Sequence, residues 1–146
     1  MPAVTRRRDV GAPPDEVWRL VSDPERLPAW WPGVTRVEEA TERHWTTVLT
    51  SAKGKTVRAD FSRVEAEPRR RLVWRQEVDE SPFERILTES VTALELAPSE
   101  AGGTTVALTV RHSPRGLARL GFFQMRAAAA KQVRGALDGL EAAMGA

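Results

Sequence analysis

The chain is 146 residues long, with 41% hydrophobic and 29% charged residues, a balance that fits one globular domain with a sizeable core and excludes a disordered segment. Its formal charge is +2, from 22 basic and 20 acidic residues, too near balance at neutral pH to recommend a nucleic-acid partner. Cysteine is absent, which excludes disulfides, a thiolate nucleophile and a cysteine-ligated metal, and no apolar run approaches the roughly 20 residues of a membrane-spanning helix.

Met1–Arg8 lacks the apolar stretch of a secretory signal, so a cytoplasmic protein without stable membrane insertion is expected. The preference for arginine over lysine fits a GC-rich, bacterial coding bias. Arg6-Arg7-Arg8 and Arg69-Arg70-Arg71 are short clusters beside acids and read as a solvated sheet edge or turn. No repeat or long linker divides the chain, and residues 1–146 are expected to form a single domain.

Residues 3–11 read as a first strand ending at Gly11. Pro13-Pro14-Asp15-Glu16 then opens a helix: proline is tolerated in the first turn, and acids favour the positive end of the helix dipole. Val17, Trp18, Leu20 and Val21 supply its apolar stripe, and Ser22 or Asp23 ends it. Asp23-Pro24-Glu25 starts a second short helix that must stop near Pro28, and Pro32-Gly33 forces a turn.

From Val34 to His112 the pattern changes to strands over 34–41, 43–52, 55–66, 70–78, 83–97 and 103–112, separated by Lys53-Gly54, Glu67-Pro68, Ser81-Pro82, Pro98 and Gly102-Gly103. Short connections imply an antiparallel meander. Val106, Leu108 and Val110 alternate with Thr105, Ala107, Thr109 and Arg111, so one face is dry and the other wet. Ser113-Pro114 is read as the start of a long C-terminal helix whose stripe is Phe122, Met125, Ala129, Val133, Ala136, Leu137, Leu140 and Met144. The order is β-α-α-β6-α, an α+β chain in which the long helix must cover the dry face of the sheet.

The run from Val10-Gly11-Ala12-Pro13-Pro14 through Asp23-Pro24-Glu25-Arg26-Leu27-Pro28-Ala29-Trp30-Trp31-Pro32-Gly33-Val34 resembles the opening of the polyketide cyclase/dehydrase branch of the START-like (SRPBCC) superfamily. Glu67-Pro68-Arg69-Arg70-Arg71-Leu72-Val73-Trp74, Gly102-Gly103-Thr104-Thr105-Val106 and the terminal helix extend the resemblance over essentially the whole chain. It implies a helix-grip fold: a curved seven-stranded antiparallel sheet around a long C-terminal helix, with a cavity between them. Members of the superfamily bind lipids, carry hydrophobic metabolites or cyclise polyketides, so the fold alone does not choose a reaction.

A strongly curved sheet cannot lie flush along one cylindrical helix, which leaves a gap unless large side chains fill it. The inward parity holds Trp45, Thr47 and Leu49; Ala59 and Phe61; Leu72, Trp74 and Gln76; and Val106, Leu108, Val110 and His112. In the central strand Ile86, Leu94 and Leu96 share parity with Thr88, Ser90 and Thr92; either these hydroxyls face the cavity or they suit strand geometry and face water. The candidate ligand wall is Trp45, Leu49, Phe61, Trp74, Thr88, Ser90, Leu108, Val110 and His112, with Phe122 and Met125 from the helix. Trp30 and Trp31, between Pro28 and Pro32, are the candidate rim, against the plainer reading that at least one is core.

His112 is the one candidate for acid/base work, although a satisfied histidine at a strand end is the commoner case; His44, in a turn, reads as solvated. Arg58 and Asp60 share a parity and offer an interior pair, as Arg85 and Glu89 offer one on the other face, with surface cross-strand pairing the ordinary alternative. No serine has a nucleophile-elbow context, Gly102-Gly103 precedes a strand and makes no phosphate cradle, and neither a metal nor a cofactor is expected. The leading reading is binding or carriage of a small hydrophobic ligand, such as a lipid or polyketide-like metabolite, by a monomer or homodimer. The alternatives are a polyketide aromatase/cyclase acting by positioning and proton transfer, and a regulatory or stress-associated protein-interaction module.

Overall fold

The computed structural model describes residues 3–50, 53–79, 81, 83, 87–114 and 122–145, apart from the side chains of Thr88, Pro114 and Phe122. Strand β1 (Ala3–Val10) leads into α1 (Pro14–Val21) and a 3₁₀ helix (Pro24–Ala29). There follow β2 (Val34–Glu38), β3 (His44–Thr50), β4 (Thr56–Glu67), β5 (Arg71–Gln76), β6 (Leu87–Pro98) and β7 (Thr104–Pro114), and then α2 (Phe122–Ala143).

The local signals act where the sequence places them. Pro14 stands in the first turn of α1 with Asp15 and Glu16, and Ser22 closes the helix by returning both its backbone N–H and its Oγ to the Trp18 carbonyl, at 2.9 and 2.6 Å. Asp23 caps the 3₁₀ helix by accepting from the Glu25 N–H at 3.0 Å. Gly33, at φ +81°, makes the turn into β2 that a side chain would strain.

All strand pairs are antiparallel, in the order β1-β7-β6-β5-β4-β3-β2. The six later strands are sequential neighbours, while α1 and the 3₁₀ helix carry the chain from β1 at one edge to β2 at the other. Register shifts interrupt β2 between Val34 and Arg36, β4 between Arg63 and Glu65, and β6 between Leu87 and Glu89. Such bulges sharpen strand twist and bend a sheet around whatever it faces. Val64 is the extra residue in β4, which explains an exposed valine in a strand.

Helix α2 packs on β1 and β7 and touches the 3₁₀ segment opposite. Its stripe of Ala129, Val133, Ala136, Leu137 and Leu140 is buried against Val4, Val106, Leu108 and Val110. Arg8 of β1 reaches Asp138 of α2 at 2.5 Å, fastening the same edge. At the other side α2 carries Gly139 against the Trp30 carbonyl and Gly135 against Pro32, so the helix is braced on two sides of the concave face. None of the described helices is long and apolar enough to cross a membrane.

Two expectations change. Ser113 and Pro114 do not start the long helix: they extend β7, paired with Glu89 and Leu87, because the β6 partner strand continues to offer hydrogen bonds there. Arg58 and Asp60 form no interior pair; both are exposed on the convex face, where Arg58 meets Glu38 at 2.9 Å and Asp60 accepts from Thr46 at 2.5 Å. Glu89 meets Arg111 at 3.3 Å, and its other offered partner, Arg85, lies outside the described residues.

The bracing of α2 is testable through its glycines. A Cβ at Gly139 would stand 2.2 Å from the Trp30 carbonyl oxygen, whereas one at Gly135 meets only the Pro32 ring, at 3.2 Å. Replacing helical glycine by alanine gains roughly 1 kcal/mol of propensity. Gly139→Ala is expected to lose about 2 kcal/mol or more despite that gain, and Gly135→Ala to stay within about 1 kcal/mol of the parent, as read by urea denaturation midpoints.

Candidate functional site

The inward faces of the central strands change character along their length. In β6 the sequence of inward residues runs Leu96, Leu94, Thr92, Ser90; in β5 it runs Leu72, Trp74, Gln76; in β7 it runs Val106, Leu108, Val110, His112. Each of these is buried except His112, which is partly so. At the leucine end, α1 closes the core with Val17 and Leu20. At the polar end a cavity of about 390 Å³ remains between the sheet, the 3₁₀ segment and the first half of α2. That is within the usual volume range for sites that hold small molecules.

Its wall is aromatic on one side. Trp31 meets Trp74 edge to face with centroids 5.8 Å apart, Trp74 meets Trp45 at 6.1 Å, and Trp45 lies parallel to Phe61 at 6.0 Å. Leu27, Val34, Leu49, Phe83, Leu87 and Val110 add apolar surface, and Met125, Ala128 and Ala129 come from α2. The polar members are Thr47, Gln76, Ser90, Thr92, His112 and Gln132; none of the described lining residues is Asp, Glu, Lys or Arg. Ala128 on α2 is exposed and Leu49, Phe61, Phe83, His112, Met125 and Gln132 are partly so, which puts Ala128 at an opening of the cavity.

The sheet register orders the polar groups. Trp45 faces Phe61, Phe61 faces Gln76, and Ser90 faces His112; Gln76 and Ser90 come next after the last β5–β6 pair, Arg75 with Val91. One transverse row therefore reads Trp45, Phe61, Gln76, Ser90, His112 across β3 to β7. Three atoms of this row, Trp45 Nε1, Gln76 Nε2 and His112 Nδ1, are buried without a hydrogen-bond partner among the described residues. Thr47, one step along β3, donates to the Ala59 carbonyl at 3.3 Å. Burial pushes the His112 pKa below the ordinary imidazole value, since desolvation penalises the charged ring.

Of the predicted site residues, Trp45, Leu49, Phe61, Trp74, Ser90, Val110, His112 and Met125 line the cavity together. Ser90 and Thr92 are buried on the concave side, which resolves the parity of the central strand. Thr88 and Phe122 lie outside the residues whose side chains are described. Leu108 does not reach the cavity; it is fully buried in the core beneath α2, because the helix covers β7 at that level. Trp30 is no rim residue: it is buried, with its backbone against Gly139, and Trp31 forms buried wall instead of an exposed gate.

Sequence reasoning left Leu27, Val34, Phe83, Leu87, Ala128, Ala129 and Gln132 off the wall, and gave Thr47, Gln76 and Thr92 a parity without naming them as wall. The helical stripe already contained Ala129, and its neighbours one position before and three after were the available signal for Ala128 and Gln132. Leu27, Val34 and Phe83 come from connecting segments or a strand start and carry no periodicity to read. Away from the cavity, His44 at the start of β3 is exposed, with Nδ1 3.2 Å from Ser62 Oγ, and Ser62 donates to Glu77.

The family described as polyketide cyclase / dehydrase and lipid transport matches residues 1–145. No curated protein matches the chain. Among solved structures the chain is similar to BexL, a di-domain ARO/CYC from the BE-7585A biosynthetic pathway, at 25% identity and TM-score 0.81, covering 99% of this chain and 47% of that one. A START superfamily protein from Mycobacterium smegmatis superposes at TM-score 0.80 and 11% identity over 98% of this chain and 97% of that one. The protein TTHA0849 from Thermus thermophilus does so at 0.77 and 23%, with coverage of 98% and 97%. The last two likenesses show a shared fold, the START-like helix grip.

The shift at His112 has a signed consequence. Its pKa is lower in the folded chain than the 6.5 of the unfolded one, so the unfolded state binds the extra proton first and stability falls as pH drops below 6.5. Glu38, held below the usual carboxylate range by hydrogen bonds from Arg36 and then Arg58, gives up its contribution only further into acid. Between pH 7.5 and about 5.5, His112→Gln is expected to lose less stability than the parent, as measured by denaturation midpoints at the two pH values.

Proposed function

This chain belongs to the polyketide cyclase / dehydrase and lipid transport family, and we propose that it binds and carries a small, largely apolar molecule in the cavity between the sheet and α2. The observation that carries the reading is the cavity itself: about 390 Å³, walled by Trp31, Trp74, Trp45 and Phe61, and free of charged side chains among its described residues. Apolar surface withdrawn from water on binding contributes roughly 25 cal/mol per Å² before the cost of association, so such a wall favours an apolar guest. The polar groups are few and set on one row, as orienting groups in a binding site are.

A second reading has its own observation. His112 lines the cavity next to the Ser90 hydroxyl in register, burial favours its uncharged form, and an uncharged imidazole can accept a proton from a bound substrate. With the similarity to BexL, this supports cyclisation chemistry on a carbonyl-bearing chain held in position by the walls. Carriage is favoured because the described lining offers His112 no carboxylate to orient it and no second titrating group to return the proton.

Native mass spectrometry of protein purified from its own host is expected to show a co-purifying small molecule. Ala128→Trp, which adds bulk at the exposed mouth, is expected to weaken binding of the neutral dye Nile red, read by fluorescence enhancement, at least tenfold while leaving the unfolding midpoint in place. Dye binding undiminished by this substitution would remove the cavity from the function. Loss of turnover on a supplied polyketone in His112→Ala, with binding retained, would move the assignment to the enzyme.

A further inference from the structure

The transverse row on the concave face says what kind of guest the cavity takes, given the binding role proposed above. Gln76 on β5, Ser90 on β6 and His112 on β7 stand side by side at the polar end of the cavity. Neighbouring strands are about 4.8 Å apart, so the outer two backbones are separated by roughly 10 Å, and side chains on a concave face converge from there. A single flat molecule can therefore touch all three.

Two of the three carry an idle polar atom. Gln76 Nε2 and His112 Nδ1 are buried and have no partner among the described residues, and Trp45 Nε1, further along the same row, is a third such atom. The terminal torsions of glutamine and histidine are broad and roughly two-fold, so an amide swing or ring flip brings either group to the cavity wall at little cost. An oxygen entering beside them gains hydrogen bonds without displacing any that the protein already makes. The amide N–H only donates, whereas the imidazole Nδ1 takes either role, so the favoured guest presents carbonyl oxygen, with hydroxyl oxygen acceptable at His112.

Charge narrows the class further. The described lining holds no lysine or arginine, and His112 is biased toward its neutral form by burial. A carboxylate placed there would lose hydration with no cation among the described lining residues to replace it. A pure hydrocarbon would press against Gln76, Ser90 and Thr92 and leave them without either protein or water partners. Size and shape complete the description: a cavity of roughly 150 Å³ accepts benzene, so about 390 Å³ suits two or three fused rings, and the Trp31–Trp74–Trp45–Phe61 wall offers both faces and edges to flat ones.

We propose that the Gln76–Ser90–His112 row makes this a site for uncharged, flat, two- or three-ring molecules bearing a ring carbonyl, in preference to hydrocarbons of the same shape and to carboxylates such as fatty acids.

The test is isothermal titration calorimetry of the full chain with four probes: fluorenone, fluorene, fluorenone carboxylate and laurate. Fluorenone and fluorene differ only by carbonyl oxygen against methylene, so their ratio isolates the row. Fluorenone is expected to bind roughly tenfold more tightly than fluorene or better, with both carboxylates weakest. Gln76→Leu and His112→Phe are each expected to shrink the ratio several-fold while fluorene affinity holds or rises, which also certifies that the variants are folded. Equal affinity for fluorenone and fluorene, a carboxylate binding most tightly, or a ratio unmoved by both substitutions would each overturn the inference and leave cavity binding standing. Failure of all four probes to bind would bring down the binding role as well.

Discussion

The arrangement depends on how one straight helix is fastened over a bent sheet. Helix α2 is held along the β1–β7 edge by Val133, Ala136, Leu137 and Leu140 and by Arg8 on Asp138, and opposite by Gly139 and Gly135 against the 3₁₀ segment. It is anchored at two sides and spans the strands between them. An aliphatic side chain taken fully out of water stabilises by about 1.5–3 kcal/mol, so those few leucines and valines are enough to hold the helix in place. A larger residue at 139 would push the helix from its second support, which is why the close approach of backbone to backbone there matters more than any single side chain.

A bridged concavity carries a penalty. At about 24 cal/mol per Å³, a dry void of the cavity's volume would cost on the order of 9 kcal/mol, as much as the whole stability of an ordinary domain. A void of that size is tolerable when water or a guest occupies it, and occupancy by water needs polar partners. The inward residues respond to this along each strand: leucine and valine where α1 fills the space, then threonine, serine, glutamine and histidine where the described residues leave the cavity. The polar lining and the cavity are thus two aspects of one constraint, and the idle atoms of Gln76 and His112 are where that constraint reaches single hydrogen bonds.

Much of this was legible in the residues. Alternation in Val106–Val110 and Leu72–Trp74 gave the dry face, turn residues gave the strand count, and the shared parity of Leu94 and Leu96 with Ser90 and Thr92 held the polar gradient. The errors have physical causes. Pro114 suggests a helix start, yet at the end of β7 it needs to donate no ladder hydrogen bond, so the strand extends as far as Pro114. Leu108 has the parity of a wall residue, but parity says which face a side chain takes and not whether a helix lies over it. Trp30 looked like part of a gate because adjacent aromatics in a loop suggest exposure; the close approach permitted by Gly139, more than a hundred residues away, buries it. Contacts of that range leave no trace in local pattern.

Whether such a site holds or transforms its guest turns on what surrounds the proton-accepting atom. A histidine that drives proton transfer ordinarily has a partner that fixes its tautomer and stabilises the imidazolium once formed. His112 has the opposite setting: burial disfavours its charged form, Nδ1 is unpartnered among the described residues, and the described wall contains no carboxylate. Such an imidazole is a poor acceptor of a full proton and a good hydrogen-bond partner for a neutral oxygen. The same low-polarity surroundings that weaken it as a base strengthen each hydrogen bond it makes to a guest. A catalytic role at this site would have to draw its charge stabilisation from the substrate itself, through oxygens brought to His112 and Ser90 together.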